Sequence, residues 1–313
     1  MGRAVSELVN IIASIKSILT TNRIKETSVR IFFGQKLHAI LLLAILVSAC
    51  APSVGPSPTI PAVSPSAEAD NMALIPAGKF TMGDSVDQAM AECQKYRPDC
   101  QQEWFATEAP AHIVDLPAFY MDVYEVTNVL YRACVTANSC KPPRLTGSAT
   151  RSSYYDNAQY DNFPVVDVDW SNATAYCQWR GARLPSEAEW EKAARGTDER
   201  IFPWGNNQID PAYANYGDSK INDTVAVGSY ASGKSPYGIY DLAGNVWEWV
   251  NDWYDVYPGG NASASADFGQ KLRVLRGGGW SDPGNTIRSA YRGQLDPTHS
   301  FGNIGFRCAR SAP

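Results

Sequence analysis

Histidine is the scarcest chemically active residue in this 313-residue chain, with three copies. Beyond residue 50 only His112 and His299 remain, in unrelated segments. A two-histidine, one-carboxylate iron centre would need both, so that chemistry has little to build on. No CxxC pair is present, which removes the usual clustered-thiol zinc site. No GxSxG elbow supports a serine hydrolase built from Ser281, His299 and a nearby Asp. Charge is sparse at 19%, the net charge is −5, and no basic block follows the leader, so nucleic-acid binding is not expected. No apolar run reaches the ~20 residues of a bilayer-spanning helix. No internal repeat is found, and helical periodicity vanishes after Gly196.

What is present begins with an N-terminal address. Lys36 precedes the apolar run Leu37–Val47, which ends in Val47-Ser48-Ala49-Cys50. Its length suits a signal-peptide core. Small residues before a Cys resemble a bacterial lipobox, so lipidation at Cys50 is expected, with a membrane-anchored, extracytoplasmic mature protein. A buried helix with an incidental Cys is the plainer alternative. Residues 51–71, rich in Pro, Ser and Ala, read as a semi-extended tether. Three regions result: 1–50 as extension and leader, 51–71 as tether, and 72–313 as one domain.

Export lets cysteines oxidise. Without Cys50, six remain, and six thiols can pair in many ways. Spacing favours Cys93–Cys100 and Cys134–Cys140 as local loops and leaves Cys177–Cys308 as a long-range staple. Short strands are expected in Ala73–Asp84, His112–Tyr124, Thr224–Tyr230 and Leu272–Trp280, and extended chain in Phe163–Trp170. Thr127 should cap a helix to about Thr136, and Ser171 should start a second that Gly181 stops. Ser186 and Glu189 form a capping box for a third, which Gly196 ends. Few helices and many loops imply an α+β fold.

The run GIYDLAGNVWEWVNDWY, Gly238–Tyr254, concentrates three Trp around a DxxGN turn. Around it stand MALIPAGKFTMG, FYMDVYEVTNVLYRACV, PVVDVDWSNATAYCQWRGARLPSEAEWEKAARG, FPWG, LRGGGW and NIGFRCA, in that order. This set resembles the formylglycine-generating enzyme family, the sulfatase-modifying factor domains, over essentially all of 72–313. The resemblance implies a single complex α+β domain, partly C-type-lectin-like, with little regular secondary structure. It also implies the Cys177–Cys308 disulfide. It places a structural calcium site at Asp241, Gly244, Val246 and Glu248; hard oxygens suit Ca²⁺. The plainer reading is that Asp241 and Glu248 merely cap turns. A second, weaker ion site falls on Asn215 and Tyr216, with Asp218 or Asp223 as its carboxylate.

The family's activity oxidises a substrate cysteine to formylglycine through two copper-binding thiolates. By position the first would fall near Asp282, and no Cys lies between Cys177 and Cys308. Copper is therefore not expected. Trp280, Ser281, Asp282, Arg288, Tyr291, Arg292 and Asp296 are candidates to line the vacated cleft; alternatively the Arg and Asp residues simply pair and hold loops. Two functions follow. One is a monomeric, calcium-stabilised binding or accessory module without cysteine oxidation, with a protein or small-molecule ligand in the C-terminal cleft. The other is an enzyme using different cleft chemistry.

Overall fold

Pro76 and Ala77 separate two strands that the fold sends to different sheets. A computed structural model describes residues 71–313; the leader, Cys50 and residues 51–70 of the tether lie outside the described residues. Strand β1 (Met72–Ile75) pairs antiparallel with β4 (Phe119–Asp122), while β2 (Gly78–Met82) pairs antiparallel with β3 (His112–Leu116). The last strand, β9 (Ala309–Ser311), joins the far edge of β4. The largest sheet has the order β7 (Gly293–Leu295), β6 (Arg273–Arg276), β5 (Trp247–Trp253), β8 (Ile304–Phe306). Its pairs are antiparallel except β5 with β8, which run parallel.

The aromatic run supplies β5, and its alternation organises the core. Trp249 packs with Tyr131, Tyr176, Phe306 and the Cys177–Cys308 sulfurs. Val250, on the opposite face, packs with Trp190, Ile239, Leu242 and Val274. Both residues are fully buried. Burying two such side chains removes enough apolar surface to contribute roughly 1.5–3 kcal/mol each.

Among the described residues, four α-helices lie around the sheets. Helix α1 (Val86–Gln94) is capped by Ser85, whose side chain accepts from the Gln88 N–H. The sequence reading had no helix here, because its buried face is carried by Ala89 and Cys93, too small to mark an apolar stripe. Helix α2 (Asn128–Thr136) begins after Thr127, but the Thr127 hydroxyl makes no cap hydrogen bond. Helix α3 runs Trp170–Trp179, one residue earlier than expected, because Asp169 and not Ser171 sets its start by accepting from the Asn172 N–H. Helix α4 (Glu187–Arg195) has the expected capping box, and Gly196 follows it at φ 69°.

One expected strand is not formed, and the expected extended segment Phe163–Trp170 stays outside the sheets. Thr224–Tyr230 contains no strand. Its donors are taken elsewhere: Val225 N–H by the Asn245 side chain, Val227 N–H by the Asn162 carbonyl, Gly228 N–H by Asp241. Phe163–Trp170 makes a single bridge, Pro164 with Thr127. The three disulfides are Cys93–Cys100, Cys134–Cys140 and Cys177–Cys308. The last closes a 131-residue separation. Cross-links over such loops stabilise by about 2–5 kcal/mol. The double change Cys177→Ser, Cys308→Ser should lower the unfolding free energy by about that amount in guanidinium titrations; an unchanged midpoint would contradict this role.

Candidate functional site

The DLAGN turn is built from left-handed residues. Asp241 has φ 57°, Gly244 φ 79° and Asn245 φ 62°. A Cβ at Gly244 would meet the Asn215 carbonyl oxygen at 2.2 Å, so only glycine fits. Asn245 accepts from Val225 N–H at 2.9 Å and donates to Glu125 Oε2 at 2.6 Å. The turn therefore presses onto Glu125, which also accepts from Val246 N–H at 3.2 Å. Sequence reading missed Glu125. Its signal was an acid between buried Met121 and Val126 at the entry to α2.

Three acids now share one interior. Burial, then the charges of Asp241 and Glu248, push the Glu125 carboxyl well above its usual range. Burial raises Asp241 to about 6, with Arg307 pulling it back only in part. Arg307 is committed to Glu248, which it grips through Nε and Nη2, both at 2.7 Å. Trp190 Nε1 donates to the same carboxylate at 2.8 Å. Glu248 is thus a buried ion-pair partner. Glu125 and Asp241 have no such guanidinium fork: Glu125 accepts from the Asn245 side chain and Val246 N–H, and Asp241 from Gly228 N–H. Among the described residues no three His, Cys, Asp or Glu side chains form a metal-holding group on their own.

At the second position, Asn215 Oδ1 and the Tyr216 carbonyl converge on one hydroxyl, Ser219 Oγ, at 2.8 and 2.6 Å. Of the two candidate carboxylates, Asp223 is buried and accepts from Ser148, Thr150 and Thr224. Asp218 is exposed.

The C-terminal cleft candidates separate into two groups. Trp280 and Ser281 line a cavity of about 650 Å³, with Arg144, Leu145, Asp167 and Phe301 among its other walls. Asp282 lies behind them, accepting from Trp247 Nε1 at 2.9 Å and Gly279 N–H at 3.0 Å. Burial raises its carboxyl, and those two donors oppose the rise. Arg288 is outside this cavity, forked onto Glu108 at 2.9 and 2.8 Å. Arg292 forks onto Glu187 at 2.7 and 2.9 Å and reaches two smaller pockets, one of them beside Tyr291 and Trp104. Asp296 is at the surface and turns back on Thr298. Sequence reading also missed Arg144 and Asp167: Arg144 lies outside the quoted motifs, Asp167 stands inside PVVDVDW without a distinguishing neighbour, and the two meet at the cavity only through the fold.

These features define an α+β, disulfide-bonded domain with a buried acidic turn and an open C-terminal cleft. The chain belongs to the family described as "Sulfatase-modifying factor enzyme 1-like domain", whose model matches residues 58–312. The formylglycine-generating enzyme of Streptomyces coelicolor is 31% identical over 327 residues, covering 85% of this chain and 96% of that protein. The solved structure of PvdO from Pseudomonas aeruginosa is similar at TM-score 0.59 and 30% identity, over 77% of this chain and 94% of that one. The serine/threonine-protein kinase Pkn1 of Chlamydia trachomatis is 38% identical over 221 residues, 65% of this chain, and the chain spans 35% of that protein's length.

The two groups of cleft residues should respond differently to mutation. Breaking the buried Arg288–Glu108 fork by Glu108→Gln should cost about 3–5 kcal/mol of stability. Exposed Ser281→Ala should stay within about 0.5 kcal/mol. Chemical denaturation of the two variants checks this; equal losses would show that Ser281 is also structural.

Proposed function

We propose that this family member is a binding or accessory module without cysteine-oxidising activity, lipid-anchored at Cys50 outside the cytoplasm and stabilised by calcium. The observation that carries the first part is the state of the sulfur. All six cysteines of the described domain are consumed in disulfides. By position the first copper thiolate would fall near Asp282, whose carboxylate is engaged by Trp247 and Gly279. Cu(I) favours soft thiolate ligands, and a hard carboxylate is a poor substitute. What remains of the cleft is a concave, mixed apolar and polar cavity of ligand size, about 650 Å³.

A formylglycine assay decides between this reading and an enzyme of the parent chemistry. The full chain, produced through an oxidising compartment and supplied with calcium and copper(I), is offered a peptide carrying Cys-x-Pro-x-Arg. Mass spectrometry should find no thiol-to-aldehyde conversion while an active family member converts it. Conversion would sink the non-oxidase reading.

Calcium at the acidic turn would be held by Glu125 and Asp241 with the Gly244 and Val246 carbonyls. It would supply the positive charge those acids lack. Saturating calcium over EDTA should raise the melting temperature by about 5 °C or more for a domain of this size. Glu125→Gln should abolish that shift. An identical melting temperature in calcium and EDTA would remove calcium from the proposal.

A further inference from the structure

Asp167 is the most anomalous residue of the large cavity. It is 3% exposed yet lines the cavity wall. Its backbone is left-handed, φ 59°, a conformation a non-glycine residue holds only where the surroundings impose it. The 144–149 loop and the 301–303 turn impose it here: Arg144 N–H donates to the Asp167 carbonyl, and Asp167 N–H donates to the Phe301 carbonyl. The carboxylate is then held in place with too little to bind. Its Oδ1 has no hydrogen-bond partner. The nearest cation, Arg144 Nη2, stands 3.6 Å away, beyond hydrogen-bond reach, on a side chain 62% exposed. That guanidinium spends its Nη2 on the Ser300 carbonyl at 3.1 Å instead. A buried carboxylate so loosely paired is costly, and burial duly raises its carboxyl with Arg144 opposing only in part.

The rest of the cavity mixes polar walls, among them Thr146, Ser148, Ser281 and Asn303, with an apolar, aromatic side. Leu145 is 56% and Phe301 47% exposed, and the Trp280 ring stands beside them. Aromatic faces attract organic cations, and the volume suits a small molecule.

We infer that this cavity is a seat for a small organic cation with an apolar body, an aryl or alkyl amine, whose ammonium displaces Arg144 and hydrogen-bonds Asp167. The body lies against Leu145, Trp280 and Phe301. Arg144 acts as an internal placeholder: exposed, weakly held and easily exchanged. This rests on the binding-module reading and names the ligand class for it.

The test uses the full chain and three probes of one shape in isothermal titration calorimetry: phenethylamine, 2-phenylethanol and 3-phenylpropionate. The amine should bind at least about tenfold more tightly than the alcohol, as expected for a charge-assisted hydrogen bond. Asp167→Asn should erase that preference; Asn tolerates left-handed backbone, and unchanged near-UV circular dichroism verifies the fold. Arg144→Ala, an exposed change, should strengthen amine binding roughly twofold to fivefold by removing the competing cation. A purely structural Arg144–Asp167 pair predicts the opposite. The inference is overturned if Arg144→Ala weakens amine binding, if Asp167→Asn keeps the preference, or if no probe binds either wild type or Arg144→Ala. Preferential binding of 3-phenylpropionate would also overturn it, while leaving the binding-module reading intact. Chemical conversion of the amine in the calorimeter cell would do the reverse, supporting the cation seat and ending the module reading.

Discussion

Arg307 is the tie on which the interior depends. Fully buried, it forks onto the equally buried Glu248 and donates to the carbonyls of Asp122, Val123 and Tyr240. One side chain thereby fixes the end of β4, the entry to the acidic turn and the centre of β5. The pattern recurs. Arg276 joins Glu191 to the carbonyls of Ser289, Ala290 and Tyr291. Arg292 joins Glu187 to the carbonyls of Thr107 and Asp255. In a domain with short ladders, loop carbonyls need donors, and the planar guanidinium supplies several in fixed directions. Desolvation offsets much of the Coulomb attraction in such pairs. Their effect is selective: any arrangement that buries one partner alone is penalised heavily, so the loops have one stable layout.

That layout separates a rigid floor from an open wall in the C-terminal half. Arg288 and Arg292 belong to the floor, and their charge is already answered by Glu108 and Glu187. Trp280, Ser281 and Phe301 belong to the wall. Asp282 sits at the seam, its carboxylate tied to the Trp247 indole of β5. A side chain there cannot swing into the cavity without releasing both donors.

The sequence was most legible where local chemistry decides conformation. The Ser186–Glu189 capping box and the glycine stops are read from neighbouring residues, and so they hold. The local disulfides were legible from spacing, and the long one from spacing and family pattern together. Legibility failed where distant partners take over. Thr224–Tyr230 has β-branched residues, but side chains of Asn245 and Asp241 claim its donors before any strand can. The ion pair of Glu248 was not legible either, because its partner Arg307 lies 59 residues away. Asp167 gave no signal at all: neither its handedness nor its missing partner is written in the residues beside it.

The order of the strands has a consequence for how the chain can be made. The parallel neighbour of central β5 is β8, and after it come Arg307, Cys308 and β9. Synthesised N-terminus first, the polypeptide carries Glu248 and Cys177 well before the Arg307 and Cys308 that complete them. The interior can close only once that later segment has been added.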